Sequence, residues 1–583
     1  MNRQDLDVLA SLKIKPYTTQ RALTQDSGYS LGGVNRSLQN LTEAGYLNDR
    51  RELTAKAETE FARCKPKNAV ILAAGFGMRM VPINMESPKA LVEVKGQRLI
   101  DRLICQLHEA GVTDITVVVG FMKEKFEYLI DTYGVELKVN PDYAGKNNLY
   151  SLLLAKNKFS NTYIVPCDIW CKENPFRKEE LYSWYMVTDD IDPESAVRVN
   201  RKLELVSASE TAPGNKMIGV SYLLEDQSVQ VAKRLTELAA KEDSDDLFWE
   251  EALFGKKGVK IDARVVSGED AVEINTYEQL RELDSDSSHL NTDAIMTISE
   301  AMGVKPEQIT DITVLKKGMT NRSFLFNCKG KKYIMRIPGE GTDQLINRRE
   351  EAAVYSQLDG KNICDDIVYM NPENGYKITA YLEGARVCDP DDVEDLTRCM
   401  EKLRDFHNRG LKVEHTFDIF RQIDFYESLW NGAPSVFDDY QKTKKQVFSL
   451  IPYIEKHRQP FVLTHIDAVP DNFLFVGDEI RLIDWEYAGM QDPHVDIAMF
   501  CIYAMYDAHQ VERLIDLYFP EGCKTEDRIK IYCYIAACGL LWSNWCEYKR
   551  QLGVEFGEYS LRQYRFAKDY YRIAIREMED TRA

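Results

Sequence analysis

Two acidic motifs near the end of the chain constrain its fold and chemistry more than any other feature. Residues 465–472 read HIDAVPDN, and residues 482–487 read LIDWEY. The first motif places Asp467 and Asn472 on one short loop, and Asp484 follows a strand twelve residues after Asn472. Phosphoryl transfer requires such a set: Asp467 accepts the proton of an acceptor hydroxyl, while Asn472 and Asp484 hold Mg²⁺ against the phosphates of ATP. The motifs therefore predict a phosphotransferase site.

The strand and helix upstream of these motifs carry an ion pair of the kind that kinases use on the nucleotide side. Arg336 lies on the predicted strand 332–337, at the position where protein kinases have a lysine. Glu351 lies on the following helix and is its expected partner, with Glu350 as the adjacent alternative. Such a pair holds a cation over the nucleotide phosphates. We therefore predict that Arg336 and Glu351 belong to the nucleotide site.

A turn before this strand completes the pattern. Residues 318–321 read GMTN where a phosphate-covering hairpin is expected, so Thr320 and Asn321 are candidate nucleotide contacts. The whole set resembles the choline/ethanolamine kinase branch of the aminoglycoside-phosphotransferase-like fold, over about residues 293–583. The resemblance implies a protein-kinase-like domain that uses ATP and Mg²⁺.

A pair of tryptophans points to the acceptor of this domain. Trp542 and Trp545 lie at i, i+3 on an apolar helix and so share a face. By resemblance to eukaryotic choline kinases, which have a similar W-x-x-W, they would pack against a trimethylammonium group; ordinary core packing is the alternative. The nearby acidic residues Glu486, Asp492 and Asp496 are candidates to attract the cationic headgroup. Ethanolamine would need fewer aromatic faces and more carboxylates, so the pattern favours choline.

A glycine loop in the middle of the chain predicts a second phosphate site. Residues 72–80 read LAAGFGMRM, and residues 88–91 read PKAL. Glycines after a strand let backbone N–H groups approach phosphate oxygens, and two basic side chains would neutralise a triphosphate. An ordinary β-to-α turn is the alternative for the glycines alone. The candidate nucleotide-binding residues are Leu72, Ala73, Ala74, Gly75 and Gly77, and the candidate catalytic cations are Arg79 and Lys89.

This region resembles the nucleotidyltransferase superfamily, and most closely the bacterial CTP:phosphocholine cytidylyltransferases, over about residues 67–285. The resemblance rests also on NPDYAGKNNLYSL (140–152), PCDIW (166–170) and EINTYEQL (273–280). It implies a Rossmann-like domain with a mixed central sheet and one Mg²⁺ ion. The ligands would be Asp168, Glu273 and Asn275. At the last two positions the phosphocholine enzymes resemble Glu-Ile-Asp, whereas this chain has an asparagine, so the ion would bind with one less negative charge. Helix capping by Asp168 and a turn at Asn275 are the alternatives.

The implied reaction is attack by a substrate phosphate oxygen on the α-phosphorus of the nucleotide, with release of pyrophosphate. Charge neutralisation by Mg²⁺, Lys89 and Arg79 would supply most of the catalysis. A quaternary ammonium in the acceptor favours aromatic faces, and Tyr150, Tyr222 and Trp249 are the candidates. CTP rather than UTP follows from the resemblance alone.

The first 66 residues form a different kind of domain. They carry ten Lys and Arg against eight Asp and Glu, and they read as three short helices and a polar hairpin. The pattern resembles a winged helix-turn-helix, with the third helix near residues 30–45 and a wing near 48–53. Because few basic side chains are available to a reading helix, DNA binding competes with a dimerisation or docking role.

The composition of the chain excludes or disfavours several other classes of function. The 583 residues carry 74 Lys and Arg against 93 Asp and Glu, a net charge of −19, which disfavours general coating of nucleic acids. The longest apolar run, near 531–542, is too short to cross a bilayer. The 13 cysteines lack metal-site spacing, which favours reduced thiols and the cytoplasm. An acidic polar stretch at 286–292 is the predicted linker between the two larger domains.

The chain is therefore expected to be a multidomain α/β and α+β protein. One domain would make phosphocholine from choline and ATP, and the other would convert it with CTP to CDP-choline, which in bacteria serves surface polysaccharide decoration. Alternatives are the same two reactions on ethanolamine or another amino alcohol, a sugar kinase fused to a sugar-phosphate nucleotidyltransferase, and a DNA-binding regulator that senses choline or nucleotide.

Overall fold

The structure is a computed structural model. It describes residues 1–208, 213–254, 258–315, 321–339, 342, 345–554 and 556–581. The chain divides into two compact units, one of residues 1–296 with 312–314 and one of residues 297–311 with 315–583. The first unit holds both the N-terminal helices and the β/α domain. For the individual domains we propose the boundaries 1–66, 67–285 and 293–583.

The N-terminal region contains four helices, α1 (Arg3–Ile14), α2 (Gln20–Ser27), α3 (Leu31–Glu43) and α4 (Ala55–Cys64). Each begins after a side chain that accepts a hydrogen bond from the first turn, at Asn2, Thr19, Ser30 and Thr54. A single β-bridge joins Leu47 to Leu53 and closes the predicted wing. The expectation of three helices was wrong, because α4 follows the wing and buries Ala57, Phe61 and Cys64.

The N-terminal helices share one hydrophobic core with the β/α domain. Arg3 donates hydrogen bonds from Nη1 to the backbone oxygens of Leu203, at 3.0 Å, and Ala263, at 2.7 Å. Asp7 accepts the phenolic hydrogen of Tyr182 at 2.7 Å. Because hydrogen bonds as well as apolar packing join the two parts, the winged helix is fixed to this domain.

The β/α domain is built on a seven-stranded mixed sheet. Its strand order is β12-β8-β11-β6-β1-β4-β5, in which β1 is parallel to β4 and β6, and β11 is antiparallel to β6 and β8. The strands of the domain are β1 (Asn68–Ala73), β2 (Glu93–Val94), β3 (Gln97–Arg98), β4 (Asp114–Val119), β5 (Glu136–Val139), β6 (Thr162–Pro166), β7 (Ile169–Cys171), β8 (Trp184–Asp192), β9 (Val197–Val199), β10 (Leu205–Ser207), β11 (Gly214–Leu223), β12 (Asp262–Val266) and β13 (Ala271–Glu273). The helices are α5 (Leu99–Glu109), α6 (Tyr128–Tyr133), α7 (Asn148–Leu154), α8 (Glu225–Ala239) and α9 (Tyr277–Leu283).

The segment predicted as a linker packs against this domain. Leu290 is buried, and its backbone oxygen accepts the phenolic hydrogen of Tyr277 at 3.0 Å. Ser287 donates from Oγ to the backbone oxygen of Glu93 at 2.7 Å. These contacts give an acidic, polar segment a fixed position on the surface of the first unit.

The described part of residues 293–583 contains a five-stranded sheet of order β14-β15-β16-β18-β17 and continues as a mainly helical region; residues 293–296 and 312–314 within it belong to the first unit. Its strands are β14 (Ile309–Val314), β15 (Asn321–Cys328), β16 (Lys331–Pro338), β17 (Ile367–Met370), β18 (Lys377–Ala380), β19 (Arg386–Val387), β20 (Val462–Thr464), β21 (Phe473–Val476), β22 (Glu479–Leu482) and β23 (Gly489–Gln491). The helices are α10 (Asp293–Met302), α11 (Arg348–Leu358), α12 (Val393–Asn408), α13 (Ile419–Ser428), α14 (Tyr440–Phe448), α15 (Ile451–His457), α16 (His494–Tyr503), α17 (Ala508–Tyr518), α18 (Thr525–Gln551) and α19 (Glu558–Asp580).

Helix α18 forms the centre of the helical region. It has 27 residues, nearly all buried, and it packs against α13, α16 and α19. Its buried residues include Lys530, Asn544 and Glu547 besides the apolar ones, so the helix is enclosed on all sides although it is not apolar all round. Among the described residues, no helix is both long and apolar enough to span a membrane. All thirteen cysteines are free thiols, and ten of them are buried.

Candidate active sites

The acidic motif of the second unit lies on a loop that a buried aspartate holds in place. Asp496, on α16, accepts the backbone N–H groups of His465 at 2.9 Å and Ile466 at 2.7 Å. Its Oδ2 also lies 2.9 Å from Nε2 of His407. Ile466 has φ +68°, which is costly for a β-branched residue, so these bonds fix a strained conformation just before Asp467.

The predicted motif residues converge at the end of this loop. Asn472 donates from Nδ2 to the backbone oxygen of Asp467 at 2.8 Å and to its Oδ2 at 3.2 Å. Burial, and then the charges of Asp484 and Glu486, raise the pKa of Asp467 to about 8. Burial also raises the pKa of Asp484, while Lys377 and Arg336 oppose that rise. The site therefore concentrates buried carboxylates that need cations.

The predicted ion pair is present and extends into a network. Arg336 binds both carboxylate oxygens of Glu351, with Nη2 to Oε2 at 3.0 Å. Arg348 lies 3.0 Å from Oε2 of Glu351 and 3.4 Å from Oε2 of Glu486. Glu486 also accepts the Asn321 amide at 3.0 Å. The network thus links the nucleotide-side pair to the acidic motif; Glu350, the alternative partner, lies exposed at the start of α11.

A cavity of about 540 Å³ opens beside these residues. Its polar wall includes Asp467, Asn472 and Asp484, together with Arg336 and Lys377. Its apolar wall is aromatic, formed by Tyr487, Tyr503, Trp542, Trp545 and Tyr559. The rings of Trp542 and Trp545 meet edge to face with centroids 5.5 Å apart, and Tyr487 meets Trp542 at 5.6 Å. The cavity therefore joins a phosphotransfer motif to a group of aromatic faces.

Asp484 and Asn472 offer hard oxygen donors that fit Mg²⁺. Both line the cavity, and the Asn472 amide nitrogen faces Asp467, which leaves its carbonyl oxygen available as a ligand. Across the described ranges, no group of three or more His, Cys, Asp or Glu side chains is arranged to hold a metal ion. A bound Mg²⁺ would neutralise charge on the phosphates here. Thr320, predicted to contact the nucleotide, lies outside the described residues.

The glycine loop of the first unit follows β1. Gly77 has φ +65°, a conformation that favours glycine, and a Cβ added at Gly75 would meet nothing within 4 Å. The side chains of Leu72, Ala73 and Ala74 are buried, so these three would offer only backbone to a nucleotide. The loop therefore leaves backbone exposed at the two glycines, as a phosphate cradle requires.

The predicted cations and metal ligands of this unit come together in one cluster. Lys89, on a short 3₁₀ turn, binds Oδ2 of Asp168, and its Nζ lies 2.7 Å from Oδ1 of Asn275. Arg79 is exposed and donates to the same Asn275 oxygen at 3.1 Å. Burial and the Asp168 carboxylate raise the pKa of Glu273, and Lys89 opposes that rise. The antiparallel pairing of β7 with β13 explains the approach of Asp168 to Glu273.

This cluster fits Mg²⁺. Within the part of the chain that the structure describes, Oδ1 of Asp168 is buried without a hydrogen-bond partner. Such an atom is costly to leave unpaired, which favours a ligand at this position. Asp168, Glu273 and Asn275 are the residues that would hold the ion, and the ion would supply charge neutralisation at the phosphates.

Two of the three aromatic residues predicted to bind the acceptor are buried in the core. Tyr222 has no exposed surface, and its hydroxyl binds the backbone oxygen of Cys64. Trp249 is 1% exposed and packs against Tyr185 with ring centroids 6.0 Å apart. The prediction that these two rings contact the acceptor is corrected, because both are core residues. Tyr150 is partly exposed, with its ring 4.6 Å from Nζ of Lys146, and it stays a candidate.

Several residues of the second site had no part in the sequence-based prediction. Arg348 stands three residues before Glu351, an i, i+3 spacing that would have indicated it. Lys377 had no local signal, because its role depends on tertiary contacts. Asp496 was a candidate to attract the headgroup, but its carboxylate accepts backbone N–H groups of the loop instead. The tyrosines of the aromatic wall, at positions 487, 503 and 559, come from distant segments.

The winged helix presents a polar surface. On α3, Val34, Leu38 and Leu41 are buried as the helical spacing predicts, whereas Leu31 is 44% exposed. The exposed side chains of α3 and the wing include Asn35, Arg36, Gln39 and Arg50. DNA binding by this surface stays a prediction.

Family models match all three regions. The model described as choline/ethanolamine kinase matches residues 312–534, the MobA-like NTP transferase domain matches 69–177, and winged helix-turn-helix DNA-binding matches 1–48. These matches confirm the predicted fold class, with a winged helix, a mixed-sheet nucleotidyltransferase domain and a protein-kinase-like domain.

Individual proteins match the two larger domains. The choline-phosphate cytidylyltransferase of Streptococcus pneumoniae is 30% identical over 230 residues, which are 37% of this chain and 96% of the relative. Protein LicA of Haemophilus influenzae is 27% identical over 258 residues, 42% of this chain and 96% of LicA. The crystal structure of choline kinase LicA from Streptococcus pneumoniae matches at 26% identity with a TM-score of 0.43, covering 49% of this chain and 99% of that chain. The chain therefore belongs to the choline-phosphate cytidylyltransferase family, and it joins to that enzyme domain a choline/ethanolamine kinase domain and a winged helix-turn-helix domain.

Proposed function

We propose that the kinase domain transfers the γ-phosphoryl group of ATP to the hydroxyl of choline. The cavity carries this proposal, because it places Asp467 and an aromatic wall on the same space. Asp467 would accept the hydroxyl proton as the oxygen attacks phosphorus, and Asn472 fixes its carboxylate by hydrogen bond. Arg336, Asn321 and the metal ligands would face the nucleotide.

The aromatic wall suits a quaternary ammonium. A trimethylammonium group has no N–H to donate, so it binds through ring faces and nearby negative charge. The wall offers two tryptophans and three tyrosines, and the Lys549 ammonium already lies 5.6 Å from the centroid of Trp545. Glu486 lines the same cavity and supplies negative charge. The acceptor is therefore a cationic alcohol.

For the other domain we propose cytidylyl transfer to the phosphocholine that the kinase makes. A phosphate oxygen of phosphocholine would attack the α-phosphorus of CTP and expel pyrophosphate. Lys89 and Arg79 are the cations nearest the candidate metal ligands, and they would stabilise charge that develops on the phosphates. Little proton transfer is needed, which agrees with a site built from cations and carboxylates.

The two reactions form a sequence, because the product of the kinase is the acceptor of the cytidylyltransferase. CDP-choline made in this way would serve transfer of phosphocholine to surface polysaccharide. Since both steps consume nucleoside triphosphates and Mg²⁺, we place them in the cytoplasm. The same sequence on ethanolamine is the second candidate, and the family description that names both alcohols supports it.

An acceptor series would test the kinase proposal. ADP release is measured with choline, ethanolamine and 3,3-dimethylbutan-1-ol, the neutral isostere of choline. We expect kcat/KM for choline to exceed that for the isostere by at least about tenfold, since a desolvated cation–π contact is worth about 2 kcal/mol. A preference for ethanolamine would make it the substrate. Equal use of choline and its neutral isostere would contradict recognition of a cation.

A nucleotide series would test the second reaction. Pyrophosphate release is measured with phosphocholine and either CTP or UTP, so that the kinase is not needed. We expect release with CTP. No release with phosphocholine, but release with another phosphorylated acceptor, would contradict the proposed sequence.

A further inference from the structure

Lys377 occupies an unexpected place in the kinase domain. It lies on β18 directly opposite Arg336 of β16 in the antiparallel register. Both residues are 5% exposed, and both line the cavity that holds the acidic motif. Side chains directly opposite in a sheet share a face, so two cations approach the same space from neighbouring strands.

The guanidinium of Arg336 is held by the protein. It binds both oxygens of Glu351, and its Nη2 also donates to the backbone oxygen of Gly375 at 2.9 Å. A planar guanidinium bound on two sides has a fixed direction. Among the described residues its Nε–H is buried without a partner, so Arg336 can donate to a phosphate while it keeps Glu351.

The ammonium of Lys377 is held more loosely. Its Nζ lies 2.5 Å from the Tyr355 hydroxyl and 3.8 Å from Oδ2 of Asp365, beyond hydrogen-bond distance. The Tyr355 ring centroid is 4.3 Å away. An ammonium is a compact charge with three donors on a flexible chain, and it can turn toward an incoming anion without losing a bidentate partner.

We propose that Lys377 supplies a second cation that contacts the nucleotide phosphates, beside the guanidinium of Arg336. This inference rests on the proposed use of ATP by the kinase domain. The phosphates would then meet cations from two neighbouring strands, Arg336 on β16 and Lys377 on β18. Lys377 and Asp484 line one cavity, so the ammonium and the metal ligand would face the phosphates together.

Binding experiments on Lys377→Gln and Lys377→Arg test this role. Affinities for ATP and adenosine are measured by calorimetry on the full chain, because adenosine lacks phosphates. We expect Lys377→Gln to weaken ATP binding at least about tenfold while adenosine affinity changes less than about twofold. Lys377→Arg should restore most of the ATP preference. The control is Lys332→Gln, on the same sheet, where the lysine is exposed and pairs with Glu383; its ATP affinity should match wild type.

The ratio of ATP to adenosine affinity decides the outcome even if the glutamine variant is less stable, since both affinities are measured on the folded protein. An unchanged ratio in Lys377→Gln would overturn the proposal and leave Lys377 a structural partner of Tyr355. A turnover measurement distinguishes failure of the proposal for Lys377 from failure of the proposed function. A wild-type chain that binds ATP through its phosphates but transfers nothing to any amino alcohol refutes the function and not the role of Lys377.

Discussion

The two catalytic domains balance their charges in different ways. In the nucleotidyltransferase domain, Lys89 and Asp168 bind each other directly, with 12% and 14% of their side chains exposed. In the kinase domain, Arg336 and Glu351 are paired at 6% and 0% exposure, and Arg348 links that pair to Glu486 of the acidic motif. In the first site Lys89 and Arg79 lie beside the candidate metal ligands, whereas in the second site burial and the charges of Asp484 and Glu486 raise the pKa of Asp467 to about 8.

This contrast indicates which interactions each site makes with its ligands. The cytidylyltransferase cluster must exchange an internal ion pair for contacts to phosphates and a metal ion, so its cations change partners when substrates bind. In the kinase cavity, each cation that enters, whether a metal ion or an ammonium headgroup, instead interacts favourably with the buried carboxylates. Removing a carboxylate should therefore affect the kinase most, and removing a cation should affect the cytidylyltransferase most.

The largest effect is expected from Asp467→Asn. The variant keeps the shape that contacts Asn472 but cannot accept the hydroxyl proton, so ADP formation should fall about 10²–10⁴-fold. Cytidylyl transfer from supplied phosphocholine serves as the internal control and should be unchanged. Loss of both activities together would refute two independent sites.

Lys89→Met should produce the complementary loss. Removing the ammonium from Asp168 and Asn275 should reduce pyrophosphate release about 10²–10³-fold, the range seen when one charge-stabilising donor is lost. ADP formation should not change. Lys67→Met, which removes an exposed lysine paired with Glu225, is the matched control for loss of a lysine in this domain. Retained activity in Lys89→Met would remove Lys89 from the catalytic residues.

A smaller effect is expected from Trp542→Ala. The ring borders the cavity beside Tyr487 and Trp545, so its loss should raise the KM for choline about tenfold and the KM for ethanolamine less. The KM for ATP should stay near wild type. Equal increases in KM for both alcohols would indicate that the tryptophan pair serves only core packing.

The smallest effect is expected from Asn275→Asp. The substitution adds a negative charge at a candidate metal ligand, so the Mg²⁺ concentration for half-maximal pyrophosphate release should fall several-fold. The maximal rate should change little. The Mg²⁺ dependence of ADP formation by the same protein provides the control. A higher Mg²⁺ requirement would show that residue 275 does not bind the ion.

Local sequence patterns predicted what depends on neighbours in the chain. The spacing of Asp467, Asn472 and Asp484 indicated the kinase loop, because one loop and the following strand fix their positions. The strand before the glycine loop was predicted for the same reason. The pair of Arg336 with Glu351 followed from the order of strand and helix.

Features that depend on tertiary packing could not be predicted. Tyr222 and Trp249 resemble binding residues in sequence, but only the folded core shows that they are inaccessible. Lys377 meets Arg336 through strand register, which one sequence does not contain. Helix α4 was missed because it is mostly polar, although Thr54 and the buried Ala57 and Phe61 follow a helical pattern.

Phosphorus NMR of the purified chain tests most directly the claim that two sites act in sequence. One sample contains choline, ATP, CTP and Mg²⁺, and a parallel sample contains ethanolamine in place of choline. We expect a phosphomonoester signal in the choline sample that gives way to the diphosphate signal of CDP-choline as pyrophosphate forms. A monoester that accumulates without the diphosphate would contradict the sequence of reactions, and no turnover in either sample would favour a sensor over an enzyme.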